Sequence, residues 1–235
     1  MSDEELTENL AAEEAVEETE TQEPSPEKSA PEDRETAGPF DIAEVPAMRP
    51  YVDLGGIKIA PREGLQMRLE VDERAKRVVA VSLEYSGSLL QVQAFSAPKT
   101  SGLWNKIRVD LTTQLEQQGA AVEEEAGALG PELVTKTSVP EDQGGGTRIV
   151  RFIGVDGPRW TLRGVLMGAA ALEAEARENM FELFREIVVV RGDSPMPPAT
   201  FCLCAYPREF RLVSRSHSRT ASRHRRERST PRTCS

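Results

Sequence analysis

Leu65-Gln66-Met67-Arg68-Leu69-Glu70-Val71 alternates apolar and polar side chains without a break. A period of two is the mark of a strand with one buried and one wet face. Asp72-Glu73-Arg74-Ala75 then reads as a hairpin turn, and Val79, Val81, Leu83 and Tyr85 resume the alternation beyond it. Ser86-Gly87 turns the chain once more, into residues 89–95. Three strands joined by short turns make an antiparallel meander.

The reading extends in both directions from this meander. Trp104, Ile107, Leu111 and Leu115 recur at helical spacing, with Ser101 as the expected N-cap and Gly119 as the stop. Strands are expected at 121–125 and 133–139, followed by the polar loop Glu141-Asp142-Gln143-Gly144-Gly145-Gly146. Residues 148–155 and 159–166 form a hairpin about the turn Asp156-Gly157-Pro158. A second helix covers 173–185, with Ala176, Met180, Leu183 and Phe184 facing inward, and 187–190 is a short apolar strand. On the N-terminal side, 51–60 reads as one extended segment bulged at Gly55-Gly56. The fold class is α+β: an antiparallel sheet of about seven to nine strands with two main helices packed on it.

Charge divides the chain into three parts. Residues 1–37 carry 14 acidic side chains against Lys28 and Arg34, a net of −12. Residues 38–204 carry 23 acidic against 18 basic, a net of −5, and 205–235 carry nine arginines against Glu209 and Glu227, a net of +7. The first part lacks aromatic residues and cannot bury enough surface to offset its chain entropy, so 1–37 is expected to be a disordered acidic tail. The single domain is expected over 38–198, and 199–235 is an Arg/Ser-rich tail.

Neither histidine nor cysteine occurs between Gly38 and Phe201. His217, His224, Cys202, Cys204 and Cys234 all lie in the last part of the chain. A core without these residues cannot build a Ser–His or Cys–His machine, or a zinc site of the usual nitrogen and sulfur kind. No cofactor and no metal are expected. The opening Met1-Ser2-Asp3-Glu4-Glu5 does not read as a signal peptide, and no apolar run is long enough to span a bilayer, so the expected location is cytoplasmic.

The stretch from Arg151 through Asp156-Gly157-Pro158-Arg159-Trp160 to Leu166 resembles a known family. So do Gly38-Pro39-Phe40-Asp41, the run from Leu90 to Pro98, Gly102-Leu103-Trp104, and the ending from Val188 to Pro198. Together they resemble an actinobacterial domain of unknown function, number thirty-seven ten, over about residues 38–198. The resemblance implies no enzymatic activity. In element order the chain is also similar to the Mog1/PsbP-like sandwiches, mostly non-catalytic binding modules. Past Pro198 the chain departs from the family pattern. A lysine-free tail rich in Arg, Ser, Pro and Cys is what a GC-rich gene yields when read out of frame; the competing reading is a tail that binds nucleic acid through phosphate contacts.

Four residues at the hairpin form the candidate binding surface: Asp156, Arg159, Trp160 and Arg163. An arginine beside a tryptophan can hold an anion and stack on a ring, while the plainer reading buries Trp160 and leaves Arg159 in water. Arg159 and Arg163 share one side of their strand, and Arg151 is a third candidate for a basic stripe. Glu123-Glu124-Glu125 and Glu178, Glu182 and Glu186 are the densest carboxylate sets, best read as solvated faces. The expected function is a non-catalytic interaction or ligand-binding module with a protein partner. The alternatives are nucleic-acid association, through the arginine-bearing face or the basic tail, and a carboxylate-based enzyme.

Overall fold

The computed structural model describes residues 25–46, 49–72, 77–138 and 146–193. The meander is there: β4 (Gln66–Asp72), β5 (Arg77–Tyr85) and β6 (Ser88–Ser96) pair in antiparallel succession. Residues 73–75 of the expected hairpin turn between β4 and β5, residues 141–145 of the polar loop, residues 1–24 of the acidic tail and the whole 199–235 tail lie outside the described residues.

Two further hairpins complete the main sheet. They are β7 (Ala121–Gly127) with β8 (Gly130–Ser138), and β9 (Thr147–Asp156) with β10 (Trp160–Gly168). The spatial order is β4-β5-β6-β10-β9-β8-β7, seven strands in all, with β6 and β10 joined at the centre in register Leu162↔Ala94 and Arg163↔Gln93. The expected α+β class and antiparallel sheet are what the structure shows.

Two of the expected strands take no part in that sheet. Residues 51–60 are not one bulged strand but a tight hairpin, β2 (Val52–Asp53) and β3 (Ile57–Ile59). Gly55, with φ of +89°, turns the chain, and the Asp53 carboxylate accepts its N–H at 2.9 Å. A second, four-stranded sheet sets β1 (Phe40–Asp41) parallel to β11 (Val188–Val189), with β3 and β2 beyond. These strands are only two or three residues long, too short for alternation to reveal their partners.

The core lies between the two sheets. Along β10 the even-numbered Trp160, Leu162 and Leu166 turn inward, as do Ile153 and Val155 of β9 and Leu90, Val92 and Ala94 of β6. Ile57, Ile59 and Val189 of the small sheet join them. So does α4 (Ala174–Arg185) through Met180, Phe181, Leu183 and Phe184. A short helix, α3 (Ala169–Leu172), precedes α4. The opposite, outer face of the main sheet carries α2 (Trp104–Gln117), which packs over β7, β8 and β9.

The boundary expected at Gly38 moves towards the N-terminus. Residues from Ser25 onward are placed against the domain, and α1 (Arg34–Ala37) leads into β1. Arg34 is only 7 % exposed. It donates to both Glu44 carboxylate oxygens at 2.9 and 2.6 Å and lies 6.0 Å from the Trp160 ring centre. The expected disorder rested on average composition, whereas residues 25–37 are placed by specific contacts, those of Lys28, Ser29 and Arg34 among them.

Candidate binding surface

The first of the four candidate residues is an internal anchor. Asp156 is 2 % exposed and lies at the end of β9, on the outer-face side of the sheet. Its carboxylate accepts the backbone N–H of Leu103 at 3.0 Å and of Trp104 at 3.3 Å. It also accepts from Ser29 N–H at 3.0 Å and from the Thr161 hydroxyl. Ser101, the expected N-cap, is therefore corrected: the cap position is Leu103, which has no side-chain acceptor, and Asp156 supplies the capping oxygen from a distant strand. A cap needs only a carboxylate at the first turn, and tertiary structure delivers one as well as a local residue does.

The N-terminal segment 25–34 is strapped over the same corner. The Asp156 N–H donates to the Ser29 carbonyl at 2.8 Å, and the Gly102 N–H to that of Pro26 at 3.0 Å. Asn105 Nδ2 donates to the carbonyls of Ser25 and Glu27. Lys28 Nζ donates to the carbonyls of Gly157 and Pro158, both at 2.8 Å. Burial pulls its ammonium below the usual lysine range, and Asp156 opposes that shift.

Trp160 faces the other way and is fully buried, its indole N–H donating to Asp41 at 2.9 Å. It belongs to the core and offers no ring to a ligand. Arg159 is exposed at the hairpin tip and pairs with Asp193 at 3.2 Å. The four residues do not form one surface: Trp160 is inside, Asp156 is sealed under the strap, and Arg159 is already paired. Arg163 remains.

Arg163 lies on the outer face, opposite Gly154 of β9 and Gln93 of β6. It is half-buried; one terminal nitrogen donates to Gln93 Oε1, and its carbon lies 5.7 Å from the Phe95 ring centre. Its Nε is buried without a hydrogen-bond partner, and no carboxylate among the described residues is within ion-pair distance. Burial holds its pKa below the ordinary arginine range.

The surface around it is the half of the outer face that α2 leaves uncovered. Register places Leu89, Gln91 and Gln93 of β6, Ser82 and Glu84 of β5, and Arg68 and Glu70 of β4 on that side. Glu70 Oε1 accepts from the Ser82 hydroxyl at 2.7 Å and from Gln91 Nε2 at 2.6 Å. Arg68 pairs with Glu84 at 2.9 Å. No described helix spans these four strands on this side. Sequence reasoning missed the glutamines, whose signal was their alternation with Leu90, Val92 and Ala94 along β6.

Arg151 does not join Arg163 in a stripe. It lies on the inner-face side, where it pairs with Glu125 at 2.8 Å and Glu132 at 3.0 Å and donates to the Ala171 carbonyl. Strand alternation explains the split, since 151 and 163 meet residues of opposite sides across the β9–β10 pair. Glu123 pairs with Lys136, Glu124 with Arg108, and Glu182 and Glu186 with Arg62.

Glu132, outside the carboxylate sets read from the sequence, is 4 % exposed, and its Oε2 is buried with no hydrogen-bond partner among the described residues. Burial raises its pKa above the usual glutamate value of 4.5, although Arg151 and Arg177 pull the other way. Between the ordinary value and the raised one, the folded chain holds more protons than the unfolded chain, so Glu132 costs stability as pH rises through that window. Glu132→Gln is expected to remove this cost. The difference between variant and wild-type urea midpoints should move in the variant's favour from about pH 4.5 to neutrality. Parallel pH profiles would rule the ionisation out.

Among the described residues no helix is long and apolar enough to cross a membrane, and no group of three or more His, Cys, Asp or Glu is arranged to hold a metal ion. A search of curated proteins finds no significant match. A family model described as "Protein of unknown function (DUF3710)" matches residues 38–212, continuing past the Pro198 departure point read from the sequence. That match covers the main sheet, both long helices and the half-face with Arg163, and on it the chain belongs to this family.

Proposed function

We propose that this protein is a non-catalytic, cytoplasmic interaction module that binds a partner on the half of its main sheet's outer face that α2 does not cover. The observation that carries the reading is the state of that half-face. It presents half-buried amides and a half-buried guanidinium with no carboxylate partner among the described residues, and no described helix lies over it. Burying charge without compensation is costly, so such a group in a stable fold is a natural place for an intermolecular contact. The carboxylate-enzyme alternative is not favoured. Glu125 and Glu132 both engage Arg151, and Glu132 is closed to substrate.

A photo-reactive side chain at Leu89, half-buried on this face, tests the reading. In the full-length protein expressed in its own cells, position 89 should give discrete cross-linked adducts on illumination. The same group at Glu116, exposed on α2, should not. Equal labelling from both positions, or none from 89, would sink the proposal.

A further inference from the structure

We propose that the corner built by Gly102, Asn105, Asp156, Gly157 and Pro158 is a binding site for an extended, lysine-bearing segment of a partner protein, with residues 25–29 as its resident occupant. The five residues of the corner lie inside the family match, whereas the strap that fills it lies before the match begins. The strap is held as a bound peptide is held, mostly by its main chain. The carbonyls of Ser25 and Glu27 accept from Asn105 Nδ2, and that of Pro26 accepts from the Gly102 N–H. The Ser29 N–H donates to the Asp156 carboxylate, and its carbonyl accepts the Asp156 N–H. Contacts of this kind read an extended backbone, leaving specificity to a few side chains. Gly102 permits the close approach, since any Cβ there would overlap the Glu27 carbonyl and the Asp156 carboxylate.

Lys28 supplies that specificity. Its Nζ donates to the Gly157 and Pro158 carbonyls, and the Asp156 charge favours an ammonium at this place. An acidic side chain here would face acceptors only. The strap is also the kind of occupant that exchanges. No side chain from 25 to 33 is buried, and 25–28 stay exposed even in place. Arg34 is the first buried side chain, held by Glu44, so the strap can lift while its far end stays anchored. Segments that bury little apolar surface open at far lower cost than the whole fold. An incoming segment of the same pattern restores the hydrogen bonds the strap gives up, so exchange leaves no buried group unmet. The corner is separate from the half-face with Arg163, and either site can fail without the other.

The test is nuclear magnetic resonance of the full-length protein with a synthetic copy of residues 25–31 carrying a nitroxide at its amino terminus. Bound in the corner, the nitroxide should broaden the Asn105 side-chain amide saturably. The tethered strap competes at an effective concentration on the order of millimolar, so the wild-type chain should need peptide in that range. Lys28→Gln and Ser29→Pro loosen the strap without touching the corner. Each should lower the half-saturating peptide concentration about tenfold or more. Hydrogen-exchange protection that the Gly102 and Asp156 amides lose in these variants should return when peptide is added. A peptide with glutamine in place of its lysine should bind about tenfold more weakly. No saturable broadening in either variant, or equal binding of the two peptides, overturns the proposal and makes the strap a fixed part of the fold. A wild-type dimer that dissociates in both variants would seat a second copy's strap in the corner, and that too overturns the partner assignment.

Discussion

Replacing Asp156 with alanine is expected to lower the stability of the folded chain by about 4 kcal/mol, measured by urea unfolding. The carboxylate accepts from two backbone donors at the start of α2, one in the N-terminal strap, and the Thr161 hydroxyl. Hydrogen bonds to a charged acceptor contribute roughly 1.5–3 kcal/mol each, and truncation leaves buried donors unmet; the effects are not additive, which keeps the figure below their sum. Asp156→Asn retains one acceptor oxygen but turns an NH2 group towards donors, so it should cost about half as much. Amide exchange gives the sharper readout. Leu103, Trp104 and Ser29 should all lose protection in the alanine variant, because one side chain holds both elements. If only the helix start responds, the strap is held by Lys28 and Asn105 instead.

The second large effect is steric. Gly154→Val is expected to destabilise the chain by about 3 kcal/mol, because any Cβ at this position would overlap the indole of the fully buried Trp104. Trp104 in turn is fixed by its ring N–H, which donates to the Pro131 carbonyl at 2.8 Å, and cannot move aside without breaking that bond. Trp104→Ala alone should cost about 3–5 kcal/mol through the cavity it leaves. The two changes should therefore not add. In the double variant the valine fills part of the space left by the indole, and the summed cost should fall short by about 1 kcal/mol or more in a double-mutant cycle. Additive costs would mean that α2 is not seated on Gly154.

These two sites show how unevenly the fold was legible. Alternation from Leu65 to Val71 and onward to Phe95 marked the meander, because an antiparallel strand with one wet face writes its period of two into the chain. Helical spacing marked α2 and α4 for the same reason. Nothing local could show that Asp156, in a turn where aspartate is commonplace, reaches back across the sequence to cap α2. The two- and three-residue strands of the small sheet carry too few positions for any period.

The candidate site divides the same way. Residue chemistry alone placed arginine, tryptophan and aspartate near one hairpin and established that the core lacks histidine and cysteine. Which of those residues are open to contact depends on side-chain direction and on what lies above each face, and both are properties of the assembled sheets. Tertiary structure put Trp160 in the core, paired Arg159 and Arg151 with acids, and set Arg163 beside Gln93 with no acid in reach among the described residues. The sequence by itself determined the element types, the antiparallel sheet and the chemistry the core cannot perform, because periodicity and composition are local. Which arginines find a counter-charge among the described residues was settled by the assembled sheets, because pairing joins residues distant in the chain.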